Sequence, residues 1–572
     1  MDRTAWIAVT LCVIGLVAWE WWIAKHTPPR PAVAVASPTP SSTLVEPGAT
    51  PATPLFSPAP VAASTAAPSP TIPPSEVRVE KLQNADVELD LTNAGGGIAK
   101  AVLHNYKAEA DAPVTLNSRT SMPIGAIVDN PAAPGLQKYE VDRTGDAVQF
   151  VCQAPEEVTI RKKFFFPKSN EVRDNFIAEL DLDFVNGGAK PFANAGYFVA
   201  LGSAAPIHPR DYSYYTRLVW CIDGKAKGID VNWFGASGGF LGIGQRPPQS
   251  VYQQPTPNAD WAAVSDQFFT TLIAPLNSKA EGVWARRIDI APEQKVYALE
   301  GALKMPALQI AAGKTYSARF QIYAGPKIYH RLAQLNHNEA EVMDFGIFKI
   351  VSQFLLNFMN LLHGLLWHSY AAAILALTTI IRIVLWPLQT KANRSMRQTA
   401  ALGPKMQELR EKYKDDPTKM NQEVMKLYKE YGINPVGGCL PMFIQIPIFF
   451  GLYKMLSQAV ELRNAKFLWV RDLSQPDTVA HLPVLGWPIN PIPLCMAATQ
   501  IWLMQMTPKT GDPTQRRIMM FTPLIFLFIC YNFAAALALY YTTQNLFSIL
   551  QFYLNKRQPM PALEKVAKRK AR

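Results

Sequence analysis

Apolar and polar residues alternate in different rhythms along this chain, and the rhythm changes at identifiable places. A first apolar stretch runs from Trp6 to Ile23 and is broken only by Glu20. From Pro28 to Pro74 no period survives: 14 prolines stand among Ala, Ser and Thr, and only Arg30 and Glu46 are charged. Such a segment cannot bury a core and predicts an extended, semi-rigid tether. Residues 76–330 then alternate with period two. In "FIAELDLDF" the side chains of Phe176, Ala178, Leu180, Leu182 and Phe184 share one face, and "TYSARFQIYAG" repeats the pattern. Turn-forming Gly, Pro, Asn and Asp separate the runs, which predicts a large antiparallel β-sandwich. Beyond about residue 345 the apolar runs become long enough to cross a bilayer.

Four stretches fit that length: Tyr370–Gln389, Cys439–Val460, Pro488–Met506, and one that starts at Ile518 and meets no charge until Lys556. The last, as one helix of 38 residues, would be about 57 Å long against a hydrocarbon core of about 30 Å. It must fold back, most simply near Asn532–Ala536, giving two spans. The N-terminal stretch reads as a sixth. A cleaved signal peptide with Ala34-Val-Ala36 as a loose cleavage site is the alternative, but the length of the run and the belt of Trp19, Glu20, Trp21 and Trp22 favour an uncleaved anchor. In "FGIFKIVSQFLLNFMNLLHGLLWHS", Lys349, Gln353, Asn357, Asn360 and His363 recur every three or four residues. Phe348, Val351, Phe354, Leu355, Phe358, Leu362 and Leu365 fill the other face. This predicts a helix lying in the interface.

The expected order is an anchor at 1–25, a tether at 26–75, the sandwich at 76–330, and a linker with the interfacial helix at 331–368. Spans follow at 369–389, 438–460, 488–506, 518–533 and 535–554, with a helical hairpin at 390–437, loops at 461–487 and 507–517, and a tail at 555–572.

Charge orients these spans. The formal net charge is +12 although only 17% of residues are charged. Ten Lys/Arg lie between 391 and 430, Lys509, Arg516 and Arg517 lie in the loop at 507–517, and seven follow Asn555 against the single acid Glu564. Six spans place all three clusters on one side, which makes that side and both termini cytoplasmic. The sandwich then lies outside. A seventh span through the interfacial helix would split the clusters and is rejected.

The sandwich offers no chemistry. Gly313-Lys314-Thr315 lacks the earlier glycine of a phosphate loop, with Leu308 in its place, and Asp211 and Asp223 read as solvated turn residues. The six cysteines contain no CxxC pair; Cys152 and Cys221 could pair outside the cytoplasm or remain thiols. No catalytic residue, metal set or cofactor site is expected, and so no enzyme. Without chemistry and on its own tether, the sandwich is expected to be largely dispensable for the work of the helical part.

The hairpin repeats one spacing. Leu402, Met406, Leu409 and Tyr413 recur at i, i+4, i+7 and i+11, as do Met420, Val424, Leu427 and Tyr431, with Asp416 and Pro417 placed to open the second helix. Two amphipathic helices with matching seams should pack antiparallel. They either connect two spans or form a docking arm for a cytoplasmic partner.

Arg382 is the residue that needs an explanation. It sits inside the apolar run Ala371–Leu388, where a charge costs about 2.5–3.5 kcal/mol on insertion scales. Thr378 and Thr379 precede it by one turn, Trp386 follows by one and Gln389 by two. Gln445, Thr499, Gln500, Tyr540, Tyr541, Gln544 and Asn545 add polar groups on other spans, and no acid lies inside the five C-terminal spans. Arg382 could snorkel about 9 Å to the cytoplasmic end of the run. The better account is a wet cavity open to the cytosol, lined by these amides and hydroxyls. A secondary transporter holding an anionic solute on Arg382 is the alternative function, but it would call for internal repeats and broken helices in matched halves, and neither is found.

Arg382 in a span leading to "WPL", then "NPVGGCLPMFIQIPIFFGLYKML" and "ELRNAKFLWVRDLS", then the "YY" and Asn545 of the last span, resemble the YidC/Oxa/Alb family of membrane protein insertases. The layout resembles the Gram-negative long form with its periplasmic domain. The resemblance implies a polytopic α-helical bacterial inner-membrane protein with a five-helix insertase core and a β-supersandwich of the galactose-mutarotase type. It implies that Arg382 is the groove arginine, with Thr378 and Gln445 beside it. The implied clients are nascent membrane proteins, received alone or with the Sec translocon and in contact with membrane lipids. Ribosome and targeting factors would dock on Lys405, Arg410 and Lys412 of the hairpin and on Lys556, Arg557, Lys568, Arg569 and Lys570 of the tail. One departure is the turn between the last two spans, "NFAAA", where the family usually has Pro and Gly.

Overall fold

The computed structural model describes residues 77–108, 111–120, 122–168, 175–208, 211–237, 246–433, 440–483, 486–507 and 513–556. The predicted anchor, the tether and the tail beyond Lys556 lie outside them.

Period-two patterning becomes two antiparallel sheets over one core. Val79–Gln83, Val87–Thr92, Gly97–Lys107 and Pro113–Leu116 form a four-stranded sheet in chain order. A sheet of thirteen strands among the described residues carries most of the rest, beside a small pairing of Phe192–Asn194 with Leu308–Ile310. Its path runs from Ile127–Val128 through Phe198–Ala204, Val296–Lys304, Ala280–Ala291, Val251–Ser265, Phe269–Pro275, Thr315–Pro326, Ile177–Asn186, Val158–Phe165 and Ala147–Ala154 to Glu140–Thr144. The two sequence stretches that set the period pair directly, Leu182 opposite Ala318 and Leu180 opposite Phe320, and all four are buried. Cys152 and Cys221 are buried free thiols on two strands, so the pairing that the sequence allows is not made.

One polar group is locked between the sheets. Lys162 is fully buried, and its Nζ donates to the carbonyls of Gly95 (2.8 Å), Gly96 (2.9 Å) and Gly125 (3.2 Å). Three carbonyls match the three N–H groups of an ammonium, and Tyr139 covers it at 4.7 Å from the ring centroid. Gly96 adopts φ +56°, and a Cβ there would lie 2.8 Å from the Tyr139 ring, so the turn that presents these carbonyls requires glycine.

The helical region opens with α1 (Lys349–Leu365) and α2 (Tyr370–Ala401), the latter capped by Ser369, whose Oγ accepts from Ala372 N. Among the described residues α2 is the one helix of at least 18 residues apolar enough to cross a bilayer. It carries on past the apolar run, and the hairpin follows as α3 (Gly403–Lys412) and α4 (Pro417–Glu430). Asp416 caps α4 by accepting from Lys419 N at 3.0 Å, and Leu402, Met406 and Ile433 form a small core with Val424, Leu427 and Tyr431. Then come α5 (Leu440–Gln458), α6 (Pro491–Met506), α7 (Pro513–Cys530) and α8 (Ala535–Lys556). Pro387, Pro447 and Pro523 sit inside α2, α5 and α7.

The apolar side of α1 divides in a way its periodicity does not separate. Leu355, Leu356, Met359 and Leu362 are buried, while Ile350, Phe354, Leu361 and Leu365 are exposed. Ser352 ties the buried side to α5 by donating to the Gly451 carbonyl at 2.9 Å.

A freely hanging sandwich is not what forms. Gln267 donates to the Ser457 carbonyl (2.7 Å), Arg463 to the Lys107 carbonyl (2.6 Å), and the hydroxyls of Tyr214 and Tyr453 share a hydrogen bond of 3.0 Å. The Arg463 guanidinium also lies over the rings of Phe268 (5.1 Å) and Phe269 (5.4 Å). Asp211, expected to be a solvated turn residue, accepts from Ile207 N and His208 N and from Gln475 Nε2 at 3.2 Å. Its partner comes from a loop more than 260 positions away, which local sequence cannot reveal.

Burial pulls the Lys162 pKa from its ordinary 10.5 down to about 7. Between those values the unfolded chain binds the proton more tightly than the fold, so this group makes the sandwich more stable as pH rises from 7 to 10, and the slope vanishes below about 7. In thermal unfolding of the detergent-solubilised chain, Lys162→Met should cost about 1–3 kcal/mol at pH 7, because three buried carbonyls lose their donor. The gap to the unmodified chain should widen toward pH 10; a constant gap would count against a shifted lysine.

Candidate functional site

The polar residues of the helical region gather along the contact between α2 and α8. Arg382 is half-buried on α2 and, among the described residues, makes no hydrogen bond or ion pair. The ionisable groups near enough to act on it are Tyr540 and Tyr541 of α8. Gln445 of α5 closes the cluster: its Nε2 donates to Tyr540 OH (3.3 Å) and to Gln544 Oε1 (3.1 Å). Two helices, α5 and α8, therefore supply a cluster of amide and phenol groups beside α2, and neither neutralises its guanidinium.

The other expected residues divide. Thr378 and Thr379 lie a turn before Arg382, but each hydroxyl is spent on its own helix, at 2.7 Å from the carbonyls of Ile374 and Leu375. Gln389 is half-buried further along α2. Asn545 faces away, donating to the Met496 carbonyl (3.3 Å) and Thr499 Oγ1 (3.2 Å) of α6, and so joins α6 to α8. Gln500, one position on, has a buried Oε1 without a hydrogen-bond partner among the described residues. In the hairpin, Lys405 bonds to Tyr431 OH and lies over its ring, and Lys412 lies over Tyr413. Arg410 is half-buried.

The seam is longer than the sequence suggested. Gln551 Nε2 donates to the Trp386 carbonyl (3.1 Å) and Thr390 Oγ1 (3.2 Å), and Arg397 Nη1 to the Asn555 carbonyl (2.9 Å). Asn393 is buried with neither amide atom partnered among the described residues. The signal was present: Tyr540, Gln544, Ser548, Gln551 and Asn555 fall at i, i+4, i+8, i+11 and i+15, one row of α8. All five are buried. On α2, Thr378, Arg382, Trp386, Gln389, Asn393 and Arg397 form the answering row.

The turn before α8 shows how "NFAAA" replaces Pro and Gly. The backbone N–H groups of Ala535 and Ala536 donate to the carbonyls of Gln475 (2.9 Å) and Leu473 (3.0 Å) in the loop after α5. These would be orphan donors of a helix start, and the buried methyl side chains let the loop approach. Asp477 of the same loop accepts from Ile492 N at 2.7 Å, in the first turn of α6.

Comparison with known proteins matches residues 80–358 to the YidC periplasmic domain and residues 361–562 to the 60Kd inner membrane protein family. A protein of Syntrophus aciditrophicus named membrane protein insertase YidC is 30% identical over 97% of this chain and 100% of its own length. This chain belongs to the YidC family. A YidC of Nitratidesulfovibrio vulgaris is likewise 30% identical, over 96% of this chain and 98% of that one. A crystal structure of an active YidC insertase with its first transmembrane domain aligns over 84% of this chain and 95% of that one, at 17% identity and a TM-score of 0.35. A galactose mutarotase related enzyme from Lactobacillus acidophilus aligns over 43% of this chain and 97% of that one, at 10% identity and a TM-score of 0.30. The sandwich is thus the YidC periplasmic domain, and the α2–α8 seam lies wholly within the 60Kd inner membrane protein match.

The two kinds of polar group should separate in stability measurements. Asn545→Ala removes a bond between two helices and should lower stability in detergent by about 0.6–1.7 kcal/mol. Arg382→Ala removes a charge without a counter-ion and should leave the melting temperature unchanged or raise it. A large destabilisation by Arg382→Ala would make the arginine structural.

Proposed function

We propose that this YidC-family chain is a membrane protein insertase, and that Arg382 stands in a hydrated groove, open to the cytosol, that receives polar tails of its clients. The observation that carries this is a half-buried guanidinium with no ion pair or hydrogen bond among the described residues, facing a row of phenol and amide groups. An arginine kept for stability would be expected to hold a partner. One kept for a ligand stays hydrated and open.

The reading takes six spans: the N-terminal anchor and a five-helix core of α2, α5, α6, α7 and α8, with α1 in the outer interface and both termini cytoplasmic. The exposed apolar stripe of α1 and the exposed Phe521, Leu524, Ile525 and Phe528 of α7 support lipid contact on those faces. Residues 382, 540, 541, 544 and 445 would form the deep end of the groove, and the seam from Gln389 to Arg397 its cytosolic approach.

The obstacle is a dry path for polar groups across about 30 Å of hydrocarbon. A groove that reaches partway shortens it. Arg382 attracts acidic or polar groups of the client, and the client's own apolar helix then moves into lipid. The drive comes from that partitioning and from the membrane potential, which favours outward movement of a negative charge by about 2.3 kcal/mol per 100 mV. The Sec translocon, ribosome and targeting factors remain the expected partners, the last two through the hairpin and tail.

Purified protein in liposomes, given small single-span clients, tests this. Arg382→Ala should reduce insertion of clients with acidic translocated tails more than of clients with neutral ones, and Arg382→Lys should retain most activity, since a point charge in water needs no fork geometry. Equal loss for both kinds of client would remove the electrostatic role. Truncation after Asn555 should weaken cosedimentation with ribosomes in a salt-dependent way, by close to one log unit per phosphate contact for a tenfold change in salt. If binding survives the truncation, the hairpin is the docking element.

A further inference from the structure

The sandwich meets the helices at a cluster of aromatic residues: Tyr212, Tyr214, Tyr215, Tyr453 and Phe533. Tyr212 and Tyr214 stack at 5.3 Å between ring centroids, and Tyr215 packs on both. The Tyr212 ring meets Phe533, in the turn between α7 and α8, at 6.1 Å, and Tyr214 shares its hydroxyl hydrogen bond with Tyr453 of α5. Tyr453 in turn stacks on Phe533 at 5.2 Å. The cavity left at this junction is about 30 Å³, room for about one water, so the surfaces are fitted and not a ligand site.

From there the packing runs on without a break. Tyr453 stacks on Phe449 (6.5 Å), Phe449 meets Tyr541 (5.5 Å), and Tyr541 meets Tyr540 (5.3 Å), both of them near Arg382. Phe526 of α7 fills the same layer, 5.0 Å from Tyr541. The aromatic layer between sandwich and arginine is thus built from α5, α7 and α8, and the sandwich touches two of its corners from outside.

We propose that the Tyr212–Tyr215 segment is a brace: by holding Tyr453 and Phe533 from outside, it sets how tightly α5 and the α7–α8 turn close the layer beyond Arg382. These tyrosines are positioning residues that act through Phe449 and Tyr541. Close-packed interiors transmit such displacement, because neighbouring side chains have little free volume to absorb it. The loop after α5 supports the same corner, through Gln475 Nε2 to Asp211 and through the Gln475 carbonyl to Ala535 N.

The chain carries its own reporter. Cys530 is a buried free thiol at the end of α7, in the neighbourhood of both Tyr212 and Tyr541. Cys152 and Cys221, buried within the sandwich, report unfolding of that domain instead. The full-length protein in lipid vesicles is treated with a water-soluble maleimide, and mass spectrometry reads each cysteine separately. Tyr212→Ala with Tyr214→Ala should raise the Cys530 rate about tenfold, the equivalent of about 1.4 kcal/mol, with Cys152 and Cys221 unchanged. Tyr214→Phe, which loses one hydroxyl contact and keeps the ring, should raise it only a few-fold. No client is present, so this outcome is independent of the insertase reading; slower client insertion by the double variant is a second readout that rests on it. An unchanged Cys530 rate in the folded double variant overturns the brace. If the double variant unfolds, with all three cysteines reacting together, Tyr214→Phe decides, and an unchanged rate there overturns it equally.

Discussion

The helical region is organised around the cost of one guanidinium. A charge at depth in hydrocarbon carries a penalty of several kcal/mol, and no carboxylate on α2, α5, α6, α7 or α8 offsets it. The chain answers with dipoles and, in the functional reading, with water. Tyr540 and Tyr541 cannot neutralise Arg382, but they keep its surroundings polar, and Gln445 and Gln544 extend the polar cluster on α5 and α8. Gln445 donates to both Tyr540 and Gln544, which ties α5 to α8, and among the described residues the guanidinium makes no hydrogen bond or ion pair. Much of the remaining packing can be understood as enclosing that row: Asn545 binds α6 on the far side of α8, and α1 lies over the outer part of α5.

Depth of legibility followed range. The sandwich strands were readable from alternation, because one face of each must be apolar wherever it meets the core. The helical hairpin was readable from matching seams and from the Asp416-Pro417 start. Arg382 stood out by its cost alone. The residues that face it were only partly separable by composition, since Asn545 and Tyr540 look alike as polar residues in one apolar helix and yet point to different neighbours. Helical phase on α8 would have sorted them. No local signal existed for Asp211, Gln267, Tyr214 or Arg463, whose partners lie hundreds of positions away. A tether of low complexity suggested independence, and long-range hydrogen bonds show attachment.

The two halves of the chain handle buried cations in opposite ways. Lys162 meets three carbonyls that match the geometry of an ammonium, and the surrounding turn is glycine so that they can approach. That is a closed site, complete without a ligand. Arg382 is left incomplete by its neighbours. Within one molecule, one cationic side chain is saturated by backbone carbonyls, and the other has no hydrogen bond or ion pair among the described residues.

The interior prolines give the bundle a mechanical character. Each lacks the N–H that would answer the carbonyl four residues earlier, so Ile383, Phe443 and Met519 hold carbonyls freed from the helical ladder. A helix yields most easily where a rung is missing. α2, α5 and α7 therefore each carry a soft joint of their own, while α6 and α8, the pair fastened through Asn545, have none in the interior that their described residues span. Any widening of the polar row would bend these helices first at residues 387, 447 and 523, where the ladder is already broken.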